Sequence, residues 1–519
     1  MRAVLCSTVF GAIALACVPV ASAAIRYQVS LSQPEQHIFH VQMEIPHASS
    51  GETIAMPAWN ALYQIRDFAY RVRDVEVEHL SASESTPHFS VARELDKQDW
   101  SLGEMPGHGD PAVTPEEDVV TYSIAWNDPG PFDTQLSDHH AFINLAEILM
   151  YVPDRRNEGT KVDFQNVPAG WKIIAQLAAG REPDSFTASS YDALVDAPVE
   201  AGNFEQFEFD NDSAHFRVAV DSRDWDKRLL REALRRITSY ELKLMGGPPF
   251  AAYTFIFHIG PLADVGGGGM EHMNSTAIAA NSTGSAAAIA AHEFFHVWNV
   301  KRIRPRTLEP VDYSKEQYTR ALWFAEGVTN AYASYTLERT GLWSKSKFYA
   351  DLASQIADLQ SRPARKWQSA EESSLDAWFE KYDDYNLPSR SISYYEKGQI
   401  LGVMLDLEIR DATDNHKSMD DVMRRMNDEY AKAGRYYDDS EGVLRVVNEV
   451  SGKDFGDFFR RYVSGTDEIP YNEFLSVAGL RVNLNAASDG DPVATIEEVP
   501  HSSARQRRIR EGLLRGVTE

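Results

Sequence analysis

From residue 24 to about 195, apolar and polar residues alternate along "IRYQVSLSQPEQHIFHVQMEI", "DFAYRVRDVEVEHL" and "VVTYSIAW". A period of two predicts strands with one face buried and the other wet, and no long amphipathic helix interrupts them. The glycine-, proline- and acid-rich run 101–118 predicts a loop, and "YDALVDAPVE" (191–200) predicts an exit linker. Residues 24–200 are therefore expected to form a β-sandwich. After residue 200 the period changes. "DKRLLREALRRITSYELKLMG" predicts a helix, "YTFIFHIG" a strand and "GGGGMEHMNST" (266–276) a glycine loop. "AAIAAHEFFHVWNV" (287–300) predicts one continuous helix stopped ahead of Pro305. "ALWFAEGVTNAYASYTLERTGL" and "SISYYEKGQILGVMLDLEIRD" are two more, separated by an acidic surface loop, "QSAEESSLDAWFEKYDDYNLPSRS". The expectation is a multidomain α+β chain: a β-domain, an α/β-plus-helical domain over 201–478, and a small separate piece over 479–519.

At 519 residues the chain is too long for a single core. A formal net charge of -26 argues against nucleic acid or anionic membrane as the main partner. The opening "MRAVLCSTVFGAIALACVPVASAA" has a basic start, an apolar run and Ala21-Ser22-Ala23, the pattern of a signal peptide cut after Ala23. It predicts a periplasmic or secreted protein with no transmembrane segment in the mature chain. Both cysteines, Cys6 and Cys17, fall inside this segment, so the mature chain is expected to have neither disulfides nor cysteine chemistry. Cys17 follows "ALA", which leaves lipid anchoring as a minor alternative.

Two histidines and a glutamate stand in the otherwise apolar helix 287–300. His292 and His296, four apart, share one helix face, with Glu293 beside them. H-E-x-x-H on a helix is the spacing by which two imidazoles hold zinc while the glutamate acts on a water. A chain of this length meets the pattern by chance on the order of a few per cent of the time, and the alternative is a core helix whose histidines bond backbone carbonyls. Glu326 in "LWFAEGVTNAYASY" adds weight. It follows His296 by thirty residues in another apolar helix, where an unpaired carboxylate is costly. Two nitrogens and one carboxylate leave a fourth zinc position for water. The alternative for Glu326 is an ion pair with Arg320 or Arg339.

Four stretches, "HEFFHVWNVKRIRP" (292–305), "WFAEG" (323–327), "GGGMEHMNST" (267–276) and "SYYEKG" (393–398), resemble the glycyl aminopeptidase family of zinc peptidases. "MPAWNALYQIRDFAYRV" (56–72) and "YNEFLSVAGLRV" (471–482) extend the likeness over nearly the whole mature chain. The resemblance implies an N-terminal β-domain, a thermolysin-like catalytic domain and a C-terminal PDZ domain. It implies His292, His296 and Glu326 as Zn2+ ligands and Glu293 as general base. Glu271 would hold the free α-amine of the substrate, on a strand that the loop Gly266–Gly269 delivers beside the zinc helix, so that Gly268 and Gly269 line the substrate. Tyr395 would donate to the oxyanion, with Tyr394 the alternative. Asn330 and Trp298 read as supporting or packing residues, and "KRIR" (301–304) as a solvated helix end. The tail departs from the family: "VATIEEVPHSSARQRRIREGLLRGVTE" stops partway through a PDZ sheet.

These residues imply a zinc aminopeptidase acting on peptides with a free N-terminus, with small first residues, glycine or alanine, preferred by resemblance. The alternatives are a zinc endopeptidase, in which Glu271 anchors no amine, and a non-catalytic peptide-binding scaffold. On this reading neither end contributes catalytic groups, and a chain ending near Leu480 keeps activity.

Overall fold

The computed structural model describes residues 25–49, 51–60, 63–80, 87–103, 117–486 and 491–516. The predicted signal segment, with Cys6 and Cys17, lies outside the described residues, as does most of the loop 101–118.

The alternating N-terminal segments do form strands. Ile25–Ser30 pairs antiparallel with Ile38–Pro46 and parallel with Thr160–Gln165 inside an eight-stranded sheet. A second sheet of four strands holds Lys172–Ala175, Val199–Gly202, His140–Ile143 and Gln135–Leu136. Tyr27, Val41 and Ile124 from the first sheet share one core with Ile143, Val199 and Ala201 from the second. The hydroxyls of Tyr122, Tyr191 and Tyr27 donate to the carbonyls of Ile148, Leu149 and Met150 at 2.7–2.9 Å. A crossing segment that lacks sheet partners is thereby satisfied inside the core. Residues 191–200 are not a linker. Tyr191–Val195 is a short helix and Val199–Gly202 a buried inner strand, because their apolar positions complete this core.

The second domain is built on a five-stranded sheet in the order Glu205–Asn211, Ala214–Asp221, Ala252–Ile259, Ser275–Ala280, Gly268–Glu271. The last of these, the edge strand, runs antiparallel to Ser275–Ala280 with Gly269 opposite Ile278 and Glu271 opposite Thr276. Helix Lys227–Met245 starts on Asp226, whose side chain accepts from Leu229 N, and ends at Gly246 with φ 85°. The motif helix, Thr283–Phe295, starts on Ser282 and buries Ala286, Ala287, Ala290 and Ala291. It ends five residues earlier than predicted, at Phe295, and His296 is its C-cap.

Three further expectations change. The acidic stretch 368–391 is partly core: Trp378 packs edge-on against Trp59 of the β-domain at 5.3 Å, and Ser374 Oγ accepts from Trp323 N at 2.9 Å. "KRIR" is a set of ties, not a solvated end. Lys301 pairs with Asp196 at 2.7 Å, and Arg302 donates to Met273 O and Asn274 Oδ1. The C-terminal piece is not separate either. Leu480–Ala486 and Pro492–Glu498 form a hairpin, and helix Ala504–Arg515 follows. Leu480, Val482, Ile509, Leu513 and Leu514 are buried in the core of the second domain, and Arg339 donates to Leu513 O at 2.8 Å. Its two strands could not close a core alone; they close one by docking. Among the described residues no helix is long and apolar enough to cross a membrane.

Candidate metal centre

One turn of the motif helix brings His292 Nε2 and His296 Nε2 to 2.8 Å. Glu326 Oε2 completes the triangle at 3.4 Å from the first and 3.2 Å from the second. Glu326 comes from Trp323–Val328, a π-helical turn that runs into the helix Thr329–Arg339. Such widened turns are often found where a side chain must be aimed at a functional point. The ion pairs with Arg320 or Arg339 do not form: Arg339 pairs with Asp420 at 3.0 Å, and Arg320 donates its backbone N–H to Asp439.

The hydrogen bonds decide what this triangle can hold. His296 Nδ1 lies 2.6 Å from the carbonyl of Asn299, which can only accept, so the proton of a neutral imidazole sits on Nδ1. Its Nε2 lone pair then points at His292 Nε2 and the Glu326 carboxylate. Three electron-pair donors converging on one buried point require a cation. Asn299 also donates to Phe324 O at 2.8 Å and to Thr329 Oγ1 at 3.1 Å, which fastens the end of the motif helix to the π-turn. Sequence reasoning passed over Asn299. Trp298 is buried packing, as read, and Asn330 lines a cavity.

The charge balance points the same way. Without another cation a proton takes that place: burial alone would lower His296, but the Glu326 carboxylate overrides it and pushes the imidazole pKa up to about 10. Burial would raise Glu326, yet the two histidines hold it well below the usual carboxylate range. Burial and the neighbouring His296 lower His292. The site thus stabilises a positive charge at the centre of the triangle.

Glu293, 4% exposed, leaves Oε2 without a protein partner, and burial raises its carboxyl well above the usual range. What places it is Gly269. A Cβ on Gly269 would lie 2.5 Å from Glu293 Cδ, so any larger residue would push the carboxyl from its place. Gly269 therefore cradles a protein carboxylate, while Gly268, at φ 107°, faces Phe132 of the β-domain. Two residues on, Glu271 brings a carboxylate oxygen within 4.8 Å of Glu293 and of His296. Behind it, Asp196 of the β-domain accepts from Met273 N at 2.7 Å, clamping the end of the strand.

Tyr395 opens the helix Tyr394–Ala412, its ring 6.2 Å from that of His292. Burial first, and then Glu326, push its phenol well above the ordinary value, so it remains an O–H donor. Tyr394 turns away and bonds Glu380 Oε2 at 3.4 Å.

Two cavities flank the centre. One, about 580 Å3, lies between the domains and is lined by Glu271, Arg304 and Tyr63. The other, about 420 Å3, is lined by Gly268, Gly269, Glu293, Tyr395 and Phe132. Tyr63 and Phe132 belong to the β-domain, which thus lines both cavities.

A second His–Glu–His group joins the domains: His140, Glu200 and His258. Here each imidazole has its own oxygen, His140 Nδ1 to Oε1 and His258 Nε2 to Oε2, both at 2.9 Å. That is a hydrogen-bonded ladder, unlike the shared oxygen of Glu326. The signal for it was present in the sequence, since a lone histidine inside the apolar strand "YTFIFHIG" must find a partner when buried.

The fold is shared with an aminopeptidase N family protein from Idiomarina loihiensis, at TM-score 0.81 and 24% identity over 89% of this chain and 79% of that one. An M1 zinc metallopeptidase from Deinococcus radiodurans is similar at TM-score 0.50 and 14% identity, over 86% and 94% of the two chains. Legionella pneumophila aminopeptidase A in complex with aspartic acid matches at TM-score 0.50 and 15% identity, over 92% of this chain and 52% of that one. No curated protein matches at the sequence level. Residues 26–203 match the peptidase M61 N-terminal domain and residues 285–401 the M61 glycyl aminopeptidase domain, together more than half of the chain. The chain belongs to the M61 glycyl aminopeptidase family of metallopeptidases.

Proposed function

We propose that the protein is a zinc aminopeptidase that releases the first residue of peptides carrying a free α-amine. The observation that carries this reading is the edge strand, which sets the Glu271 carboxylate beside Glu293 and His296 at the ligand triangle. His292, His296 and Glu326 would hold the ion, the two-nitrogen, one-carboxylate set that suits catalytic zinc. When bound, zinc supplies a Lewis acid that polarises the scissile carbonyl and acidifies a water. Glu271 binds the α-ammonium by a charge-assisted hydrogen bond, which fixes the first peptide bond over the centre. Glu293 accepts the proton of the attacking water and returns it to the leaving amine. Its high pKa in the free chain suits a group that must both take and give a proton. Tyr395 donates its O–H to the oxygen that gains charge as the carbonyl carbon becomes tetrahedral.

The family supports glycine or alanine as the preferred first residue. The cavity beside Glu271 has room for more than a methyl group, so Gly-, Ala- and Leu-initiated peptides compared in one assay decide that point. The signal-like opening supports a periplasmic or secreted enzyme. The main test compares free and N-acetylated versions of one peptide, on wild type and on Glu271→Ala. Free peptides should be cut and acetylated ones spared, and Glu271→Ala should depress kcat/KM for free peptides with zinc retained. Equal rates on both peptides would replace the aminopeptidase by an endopeptidase. A purified chain without stoichiometric zinc or turnover would leave a binding scaffold.

A further inference from the structure

The 420 Å3 cavity has a chemistry that the reaction does not use. Its walls include Ile289, Ala333, Leu337 and Trp343, and it is also lined by the carboxylate of Asp351, from the helix Lys345–Ser361. Asp351 Oδ2 accepts from Ser334 Oγ and from Gln399 Nε2, both at 2.8 Å, which fixes the carboxylate in place. Among the described residues, and apart from the proton-carrying Glu293, Asp351 is the only acidic group lining this cavity, and no lysine or arginine lines it. Lys347, one turn earlier on the same helix, is turned over the Trp343 ring at 5.3 Å, and among the described residues no basic side chain bridges Asp351. A cavity with an apolar wall and a fixed carboxylate matches a long aliphatic stem that ends in a cation.

The edge strand says which substrate residue reaches it. Glu271 faces the interdomain cavity, whereas Gly268 and Gly269, three and two residues back, face this one. A strand advances about 3.3 Å per residue, so Gly268 lies roughly 10 Å from Glu271, the span of two to three extended residues. With its amine at Glu271 and its first carbonyl at the centre, a peptide must direct its second residue toward Gly268. We propose that this cavity receives the side chain of the second residue and selects lysine or arginine there through Asp351. The assignment rests on the aminopeptidase reading, because Glu271 sets the direction of the chain.

The test measures kcat/KM of the zinc-loaded full chain on the amidated dipeptides Ala-Lys, Ala-Leu and Ala-Glu. Ala-Lys should exceed Ala-Leu by about tenfold and Ala-Glu by more, and the advantage should shrink as salt is raised. In Asp351→Asn the Lys/Leu ratio should fall toward one, and in Asp351→Lys the order of Lys and Glu should reverse. Each variant is read as a ratio between substrates on one preparation, so partial loss of folded protein cancels, and the wild-type series stands alone if a variant fails to fold. A wild-type Lys/Leu ratio within twofold, or one that Asp351→Asn leaves unchanged, overturns the assignment while the aminopeptidase reading stands. If no dipeptide is cut but N-acetylated peptides are, both fall together.

Discussion

Replacing Gly269 by alanine tests whether the edge strand sets the catalytic carboxylate. The added Cβ would stand 2.5 Å from Glu293 Cδ, and Glu293 Cγ and Oε1 are also within its reach. Carbon atoms rest about 3.5–4.0 Å apart, so the carboxyl must withdraw by about 1 Å or more. The strand itself has little freedom to yield, since Gly269 is registered on Ile278 and the next glycine back sits against Phe132. A misplacement of about 1 Å can cost on the order of 10²-fold in rate, which is about 2.7 kcal/mol of barrier. The loss should appear in kcat, with KM changed much less because Glu271 keeps its place. None of the three ligands is among the atoms nearest that Cβ, so zinc content by elemental analysis should match wild type. The decisive assay is a double-mutant cycle with Glu293→Gln. If Gly269→Ala acts through Glu293, the double variant should be little worse than Glu293→Gln alone. A Gly269→Ala enzyme within threefold of wild-type kcat, or strictly additive losses, would refute the cradle.

Other outcomes follow from the same geometry. Glu293→Gln should keep its zinc and lose most turnover, whereas His296→Ala should lose the metal; equal zinc in His296→Ala and wild type would remove His296 from the ligand set. Tyr395→Phe should lower kcat by on the order of 10²-fold with little change in KM, and near-normal kcat would return Tyr395 to packing. Removing residues beyond Leu480 uncovers the apolar face that Ile509, Leu513 and Leu514 now cover. At roughly 1.5–3 kcal/mol per buried large apolar side chain, the loss rivals the whole stability of a domain; a truncated chain with an unchanged Tm would show that the tail is dispensable. The interdomain ladder predicts a pH window for stability. Burial opposes a charge on His140, but Glu200 raises its pKa above 6.5, so its stabilisation is complete below that pH and fades as pH climbs through the raised value. Burial opposes Glu200 too, but His140 and His258 hold it below 4.5, so its stabilisation is lost only as pH falls through that lower value. Tm should therefore decline as pH climbs above 6.5 in wild type and less so in His140→Gln; parallel Tm profiles would exclude the ladder as the cause.

The period-two strands were legible because a sheet with one wet face writes its burial into the chain: Ile25, Tyr27 and Val29 are buried while Arg26 is exposed. The motif helix and the meeting of His292, His296 and Glu326 were legible because charged groups in apolar helices demand a partner. Long-range burial was not legible. Lys301 and Arg302 look like a solvated helix end until Asp196 and Asn274 arrive from elsewhere in the chain. Residues 191–200 are short and acidic enough to read as a linker, yet their apolar positions close the β-domain core. Ile509, Leu513 and Leu514 lie among arginines, and the spacing that aligns them on one face was masked by the charge around them. The role of Gly269 was invisible for a different reason, since a glycine run signals freedom of the backbone and not which side chain needs the space.

A second pair of glycines shows how far the centre depends on such space. A Cβ on Gly327, the residue after Glu326, would lie 2.7 Å from Tyr394 O, and one on Gly398 would lie 2.9 Å from Gly327 Cα. The π-turn and the helix Tyr394–Ala412 are therefore in backbone contact, closer than any side chain allows. That contact fixes the distance between the proposed metal ligand and the phenol proposed to act on the same carbonyl, because Glu326 and Tyr395 each stand next to the touching residues. Asn299 ties the same turn to the histidine helix through Phe324 O and Thr329 Oγ1. Ligands, base and phenol are thus carried on three segments locked to one another by glycine gaps and one buried amide. A substitution that spreads the helices at Gly327 or Gly398 should disturb metal affinity and turnover together, whereas one at Gly269 should separate them.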